Sequence, residues 1–115
     1  MITGVHAMLY AQDAERARAF FRDVIGWRWI DSGGGWLIFD LPPGELGVHP
    51  GTDTTHAISF ICDDIDATVR DLTARGVEFT QPITEREYGR VTAFRVPGAG
   101  EVELYQASYA RPSGV

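Results

Sequence analysis

Residues 55–79, THAISFICDDIDATVRDLTARGVEF, change periodicity halfway along. From His56 to Ile61 the side chains alternate, with His56, Ile58 and Phe60 on one face and Ala57, Ser59 and Ile61 on the other. That period of two predicts a strand. After Asp63 and Asp64, either of which suits an N-cap, the apolar residues Ile65, Val69 and Leu72 recur at helical spacing. Gly76 fits the left-handed position that closes a helix. Another strand is predicted to follow, near 77–81. His56 raises a question of its own, because a titratable ring stands in line with an apolar face.

The same pattern occurs 50 residues upstream. VHAMLYAQDA (5–14) lies over THAISFICDD (55–64), so that His6 meets His56, Ala7 meets Ala57 and Asp13 meets Asp63. Ala17 then meets Ala67, and Gly26 meets Gly76. A shift of 55 puts FDLP (39–42) over FRVP (94–97), and a shift of 56 puts GELGVHP (44–50) over GEVELYQ (100–106). The pairs keep their order, with small drifts where loops belong. Two copies of one unit are expected, at 1–50 and 54–108.

Each unit reads strand–helix–strand–strand–strand. In the first, Val5 to Tyr10 alternate, Asp13 caps, and Ala17, Phe20, Phe21, Val24 and Ile25 form the helical stripe that Gly26 ends. Strands are expected near 27–31, 36–41 and 45–49, then near 77–81, 90–96 and 101–106. DSGGG (31–35), LPPGE and VPGAGE are turns by composition, and HPGTDTT (49–55) is the linker. About eight strands and two helices make an α+β domain.

A chain of 115 residues has room for one such domain. Its formal charge of −6, with no Lys/Arg cluster, argues against a nucleic-acid surface. No signal peptide is visible in MITGVHAMLY, and no apolar run approaches the roughly 18 residues of a membrane span. Cys62 is the single cysteine, expected to be a reduced, buried thiol in a cytoplasmic protein. No phosphate loop, nucleophile elbow or zinc-type Cys/His spacing occurs.

VHAMLYAQDAERARAFFRDVIGW, THAISFICDDIDATVRDLTARGVEF and PGAGEVELYQ together resemble the vicinal-oxygen-chelate superfamily, which includes glyoxalase I, extradiol dioxygenases and bleomycin-resistance proteins. The resemblance implies a glyoxalase-like fold in which two βαβββ units curl into a cup, with helices outside. It places the family's metal-ligand positions on His6, Gly47, His56 and Glu103. Gly47 departs from the pattern because it has no donor. His6, His56 and Glu103 would leave a two-histidine, one-carboxylate set for a divalent metal such as Fe, Mn, Zn or Ni. Such a metal would chelate a small substrate through two neighbouring oxygens. That gives His56 a reason to stand where it does; the plainer alternative is a strand histidine with its hydrogen bonds satisfied.

By repeat register, the cup face would carry Trp36, Ile38 and Asp40 from the first unit, and Val91, Ala93 and Arg95 from the second. Tyr10, Phe60 and Tyr105 are placed on the faces of the proposed ligands, so Tyr10, Trp36, Phe60, Arg95 and Tyr105 are candidate pocket residues. The alternative is that these aromatics pack the interior or a dimer seam. His49 and Tyr88, the latter in the loop EREYGR, are candidate acid/base groups, with a rim histidine and a surface tyrosine as alternatives. Glu45 and Glu101 read as solvated turn carboxylates. Of Trp27 and Trp29, one is expected to face the helix layer.

Two functions follow. One is a metal-dependent enzyme, extradiol-dioxygenase-like ahead of glyoxalase- or isomerase-like. The other is a metal-free binding protein like the bleomycin-resistance branch, which the acidic charge and the missing fourth ligand suit. In both, the resemblance implies a homodimer, with Tyr109 of the tail ASYARPSGV available to pack at the seam, while the charge and hydropathy predict no nucleic-acid or membrane partner.

Overall fold

The computed structural model describes residues 6–45, 47, 50, 52 and 56–112. Helix α1 runs Ala14–Ala19 and continues through a wider π-type turn, Phe20–Ile25. Strands β1 (Trp29–Asp31) and β2 (Leu37–Phe39) form an antiparallel hairpin. Then follow β3 (Ser59–Cys62), α2 (Ile65–Ala74), β4 (Phe79–Arg86), β5 (Gly89–Val96) and β6 (Gly100–Ala107). The last four strands make one sheet in the order β3–β6–β5–β4, with β3 parallel to β6 and the other pairs antiparallel.

The helices begin and end where local chemistry dictates. Asp13 Oδ1 accepts from the Arg16 amide at 3.1 Å, and Asp64 Oδ1 accepts from the Ala67 amide at 3.1 Å. Gly26 (φ 82°) and Gly76 (φ 91°) take the left-handed conformation that ends each helix. Between β1 and β2, Asp31 Oδ1 accepts from the amides of Gly33 and Gly35.

Both helices pack on one face of the four-stranded sheet. Ala17, Phe20 and Phe21 of α1 and Ile65 of α2 share a buried core with Phe94 and Val96 of β5 and Val102 and Leu104 of β6. Phe60 joins it, its ring 6.1 Å from Phe94 and 6.2 Å from Phe21. Trp27 stacks on Phe21 at 5.3 Å, so it is the tryptophan that faces the helix layer. The opposite sheet face carries Val91, Ala93 and Arg95 beside Tyr105, Glu103 and Glu101, as the β5–β6 register requires.

β4 pairs with β5 through two register shifts, between Phe79 and Gln81 and between Gln81 and Thr84. Bulges of this kind bend a strand and increase its twist, and Pro82 is tolerated because β4 is an edge. The sheet is therefore open and curved, and the architecture is the expected mixed α+β arrangement.

Three local expectations differ. His6–Tyr10 is not a strand, and Met8 and Tyr10 are 47% and 89% exposed. Alternation selects a face, but a strand also needs a neighbour for its ladder, and no described strand pairs there. β4 extends to Arg86, well past 81, because bulges absorb Pro82 and the charged residues that read as loop. Glu45 and Gly47 lie outside any strand; Leu46, Val48 and His49 of the expected 45–49 strand fall outside the described residues, as does Val5 and most of the 49–55 linker.

Candidate functional site

Glu103 of β6 lies opposite Ser59 of β3 and Ala93 of β5. Its Oε1 accepts from Ser59 Oγ at 3.2 Å and from Tyr88 Oη at 3.1 Å. Tyr88 comes from the β4–β5 turn. That turn is drawn against β6 at Gly89, where a Cβ would run into the Gln106 carbonyl. The Tyr88 ring stands edge-to-face on Tyr105, with centroids 5.1 Å apart at 88°.

From Tyr105 the contacts pass to the C-terminal segment. The Tyr105 and Tyr109 hydroxyls lie 2.6 Å apart, and Tyr109 donates to Glu45 Oε2 at 2.7 Å. The other carboxylate oxygen accepts from Arg111 Nε at 2.7 Å. The Arg111 and Glu45 side chains are 14% and 19% exposed, the most enclosed ion pair among the described residues. Glu45, expected to be a solvated turn carboxylate, is instead engaged by Tyr109 and Arg111.

The electrostatics follow from these neighbours. The Arg111 hydrogen bond, then that of Tyr109, holds the Glu45 carboxyl below the usual carboxylate range. Burial first, then the Tyr105 and Glu45 contacts, pushes the Tyr109 hydroxyl well up. Burial and the Glu103 charge raise Tyr88 as well. Both tyrosines therefore stay protonated and act as donors. Burial raises the Cys62 thiol too, and its Sγ lies 3.7 Å from the Tyr105 carbonyl, as suits an inert thiol.

The other candidates lie apart. His6 and His56 are exposed and outside any strand, and His56 precedes the Ser59–Glu103 pair by three residues. Among the described residues, no group of three His, Cys, Asp or Glu side chains stands together to hold a metal. The expected convergence of His6, His56 and Glu103 is therefore not assembled here. Gly47 offers no donor, and Glu103 is already engaged by two hydroxyls.

Phe60 was expected on the face of Glu103, but the parallel register pairs it with Leu104, which turns it into the helix-side core. Alternation within the segment gives only relative facing, and the pairing with β6 sets the face. Tyr10 is solvent-exposed. Trp36, 58% exposed, packs beneath the Arg18 guanidinium at 5.0 Å. Arg95 shares the Glu103 face but pairs with Glu78 Oε2 at 2.9 Å. His49 lies outside the described residues. Sequence reading missed Ser59, Glu45 and Arg111 as members of this cluster. Only Ser59 left a signal, its parity on β3; Arg111 lies beyond the repeat and left none.

The fold and this face define a class, a small α+β protein whose curved sheet presents polar and aromatic side chains opposite its helix layer. The family model of the Glyoxalase/Bleomycin resistance protein/Dioxygenase superfamily matches residues 4–104, and the chain belongs to that superfamily. No curated protein matches significantly. Among solved structures, a superfamily member from Sphaerobacter thermophilus is 30% identical, with a TM-score of 0.64 over 91% of this chain and 98% of that one. An antibiotic-binding protein from a Streptomyces species is 22% identical, with a TM-score of 0.60 over 93% and 98% of the two chains. A lactoylglutathione lyase from Agrobacterium tumefaciens is 19% identical, with a TM-score of 0.60 over 90% and 92%.

Proposed function

We propose that this chain binds a small organic molecule, without a metal, on the sheet face formed by Ser59, Tyr88, Glu103 and Tyr105. The observation that carries the reading is the Glu103 carboxylate, held by the Ser59 and Tyr88 hydroxyls next to an edge-to-face tyrosine pair. One carboxylate oxygen is engaged by both hydroxyls, and Oε2 is left for a ligand. A carboxylate beside aromatic faces suits an organic cation, and the net charge of −6 draws such a ligand in. The likeness to an antibiotic-binding protein supports this reading at the level of the fold.

The second reading is a divalent-metal enzyme, dioxygenase-like or lyase-like, using His6, His56 and Glu103. Its support is the internal repeat of the two histidines and the placement of Glu103 on β6, next to the strand that follows His56. Bound there, a metal would polarise vicinal oxygens of a substrate. In this structure the three donors are not gathered, so no step is built on it.

Calorimetric titration separates the two readings, using bleomycin as a cationic aromatic probe, and MnCl₂. Bleomycin binding that survives a chelator and is lost in Glu103→Gln supports the metal-free site. Stoichiometric metal in untagged protein, lost in His56→Ala, overturns it.

The same reading takes the chain as one domain of two units, 1–50 and 54–108, working in the cytoplasm as a homodimer. Among the described residues, no helix is long and apolar enough to cross a membrane. The dimer is supported by the hairpin face of Ile30, Trp36 and Ile38, which are 66%, 58% and 37% exposed. Light scattering at micromolar concentration tests it: a mass of 12.7 kDa that does not rise with concentration overturns the dimer.

A further inference from the structure

We propose that Ser108–Arg111 is a strap that shuts the tyrosine end of the Glu103 face, with Arg111 as its latch. The segment follows β6 directly and is tied down at two places. At one end, the Ser108 amide donates to the Tyr88 carbonyl at 2.9 Å, and Ser108 Oγ donates to the Glu87 carbonyl at 3.1 Å. Both acceptors belong to the turn that delivers Tyr88 to Glu103. At the other end, the Arg111 guanidinium donates to Glu45 Oε1 at 2.7 Å and to the Pro43 carbonyl at 3.2 Å, on the segment after β2. Between these anchors, Tyr109 lies against Tyr105 and takes up its hydroxyl.

The strap therefore joins residues more than 60 positions apart in sequence, as the 64-residue Tyr109–Glu45 and 66-residue Arg111–Glu45 separations show. Closed, it uses the Tyr105 hydroxyl and the Glu45 carboxylate internally. A ligand that needs either group must first lift it.

Arg111 is the latch for two physical reasons. Its fork engages two acceptors on one segment, a geometry that a lysine does not reproduce. At 14% and 19% exposure, its pair with Glu45 is screened less by water and salt than the Arg90–Asp66 pair, whose side chains are 35% and 54% exposed.

Amide hydrogen exchange on the full chain tests the strap without any ligand, so its failure leaves the small-molecule reading of the Glu103 face standing. In Arg111→Gln, the Ser108 amide, which donates to the Tyr88 carbonyl, exchanges about tenfold faster, while the amides of β5 are unchanged. Arg111→Lys, which keeps the charge and loses the fork, falls between. Tyr109→Phe, which keeps the ring and loses both hydroxyl contacts, gives a smaller rise at Ser108. Unchanged exchange at Ser108 in Arg111→Gln overturns the strap. So does an equal rise across β5, because the contact would then belong to the global fold.

Discussion

The two halves of the chain share one grammar and end in different degrees of enclosure. In the second half, β5 is central: Val91, Thr92, Ala93, Phe94 and Val96 are all 5% exposed or less, with β6 on one side and β4 on the other. In the first half, β1 and β2 pair only with each other among the described residues, and Ile30 is 66% exposed. Yet α1 contributes Ala17, Phe20 and Phe21 to the same core that α2 joins through Ile65. The first half's helix is built into the second half's sheet, while its hairpin is not. A two-stranded hairpin is marginal alone, so the stability of this domain resides mainly in the four-stranded sheet and the two helices on it.

The largest expected effect breaks that contrast directly. Phe94, 1% exposed, contacts the rings of Phe20, Phe60 and Phe79. Phe94→Ala is expected to cost about 3–5 kcal/mol in urea unfolding, whereas Ile38→Ala in the hairpin costs less than about 1 kcal/mol. Equal losses would mean that the hairpin is as integral as the sheet.

The next prediction concerns the joint between the halves. Gly98 has φ 83°, and a Cβ there would meet the Asp13 carbonyl at 2.5 Å, close to where the Asp13 amide donates to the Gly98 carbonyl. Gly98→Ala should destabilise by about 1–3 kcal/mol by forcing α1 away from the β5–β6 turn. Gly44→Ala, with open space around it, should stay within about 0.5 kcal/mol. Thermal unfolding of the pair checks this.

A smaller loss is expected at the α2 cap. Asp64→Ala removes the acceptor of the Ala67 amide and should cost about 1 kcal/mol, read from the urea midpoint.

The last effect is confined to the strap. The Glu45 carboxyl sits below its unfolded value, first through Arg111 and then through Tyr109. A depressed carboxyl contributes stability that is fully present above its unfolded value of about 4.3 and is lost as pH falls through the folded value. Release of Tyr109 is therefore expected only in acid, below the ordinary carboxylate range. Exchange of the Ser108 amide, corrected for its intrinsic pH dependence, should rise there while β5 stays protected. An onset near neutral pH would point to a group other than Glu45.

Much of the fold was legible because it depends on local chemistry. Asp13 and Asp64 cap, Gly26 and Gly76 close, and Ile65, Val69 and Leu72 face the core, as their spacing requires. Val91, Ala93 and Arg95 share the face of Glu103, as the repeat register predicts. The site was less legible. Phe60 and Tyr105 read as companions, but the strand register sends one to the helix side and the other to the open face. Alternation within a strand fixes only relative facing; its absolute sense comes from the pairing with β6.

By itself, the sequence determined the helices, their caps, the α+β class and the position of Glu103 on a terminal strand, because these follow from the period of apolar residues and from groups a few positions apart. Only the tertiary structure decided what meets Glu103. Ser59 lies 44 residues away and Tyr88 15, and Arg111 reaches Glu45 across 66. Hydrogen bonds over such separations depend on strand register and chain path, which the folded packing fixes and no local pattern encodes.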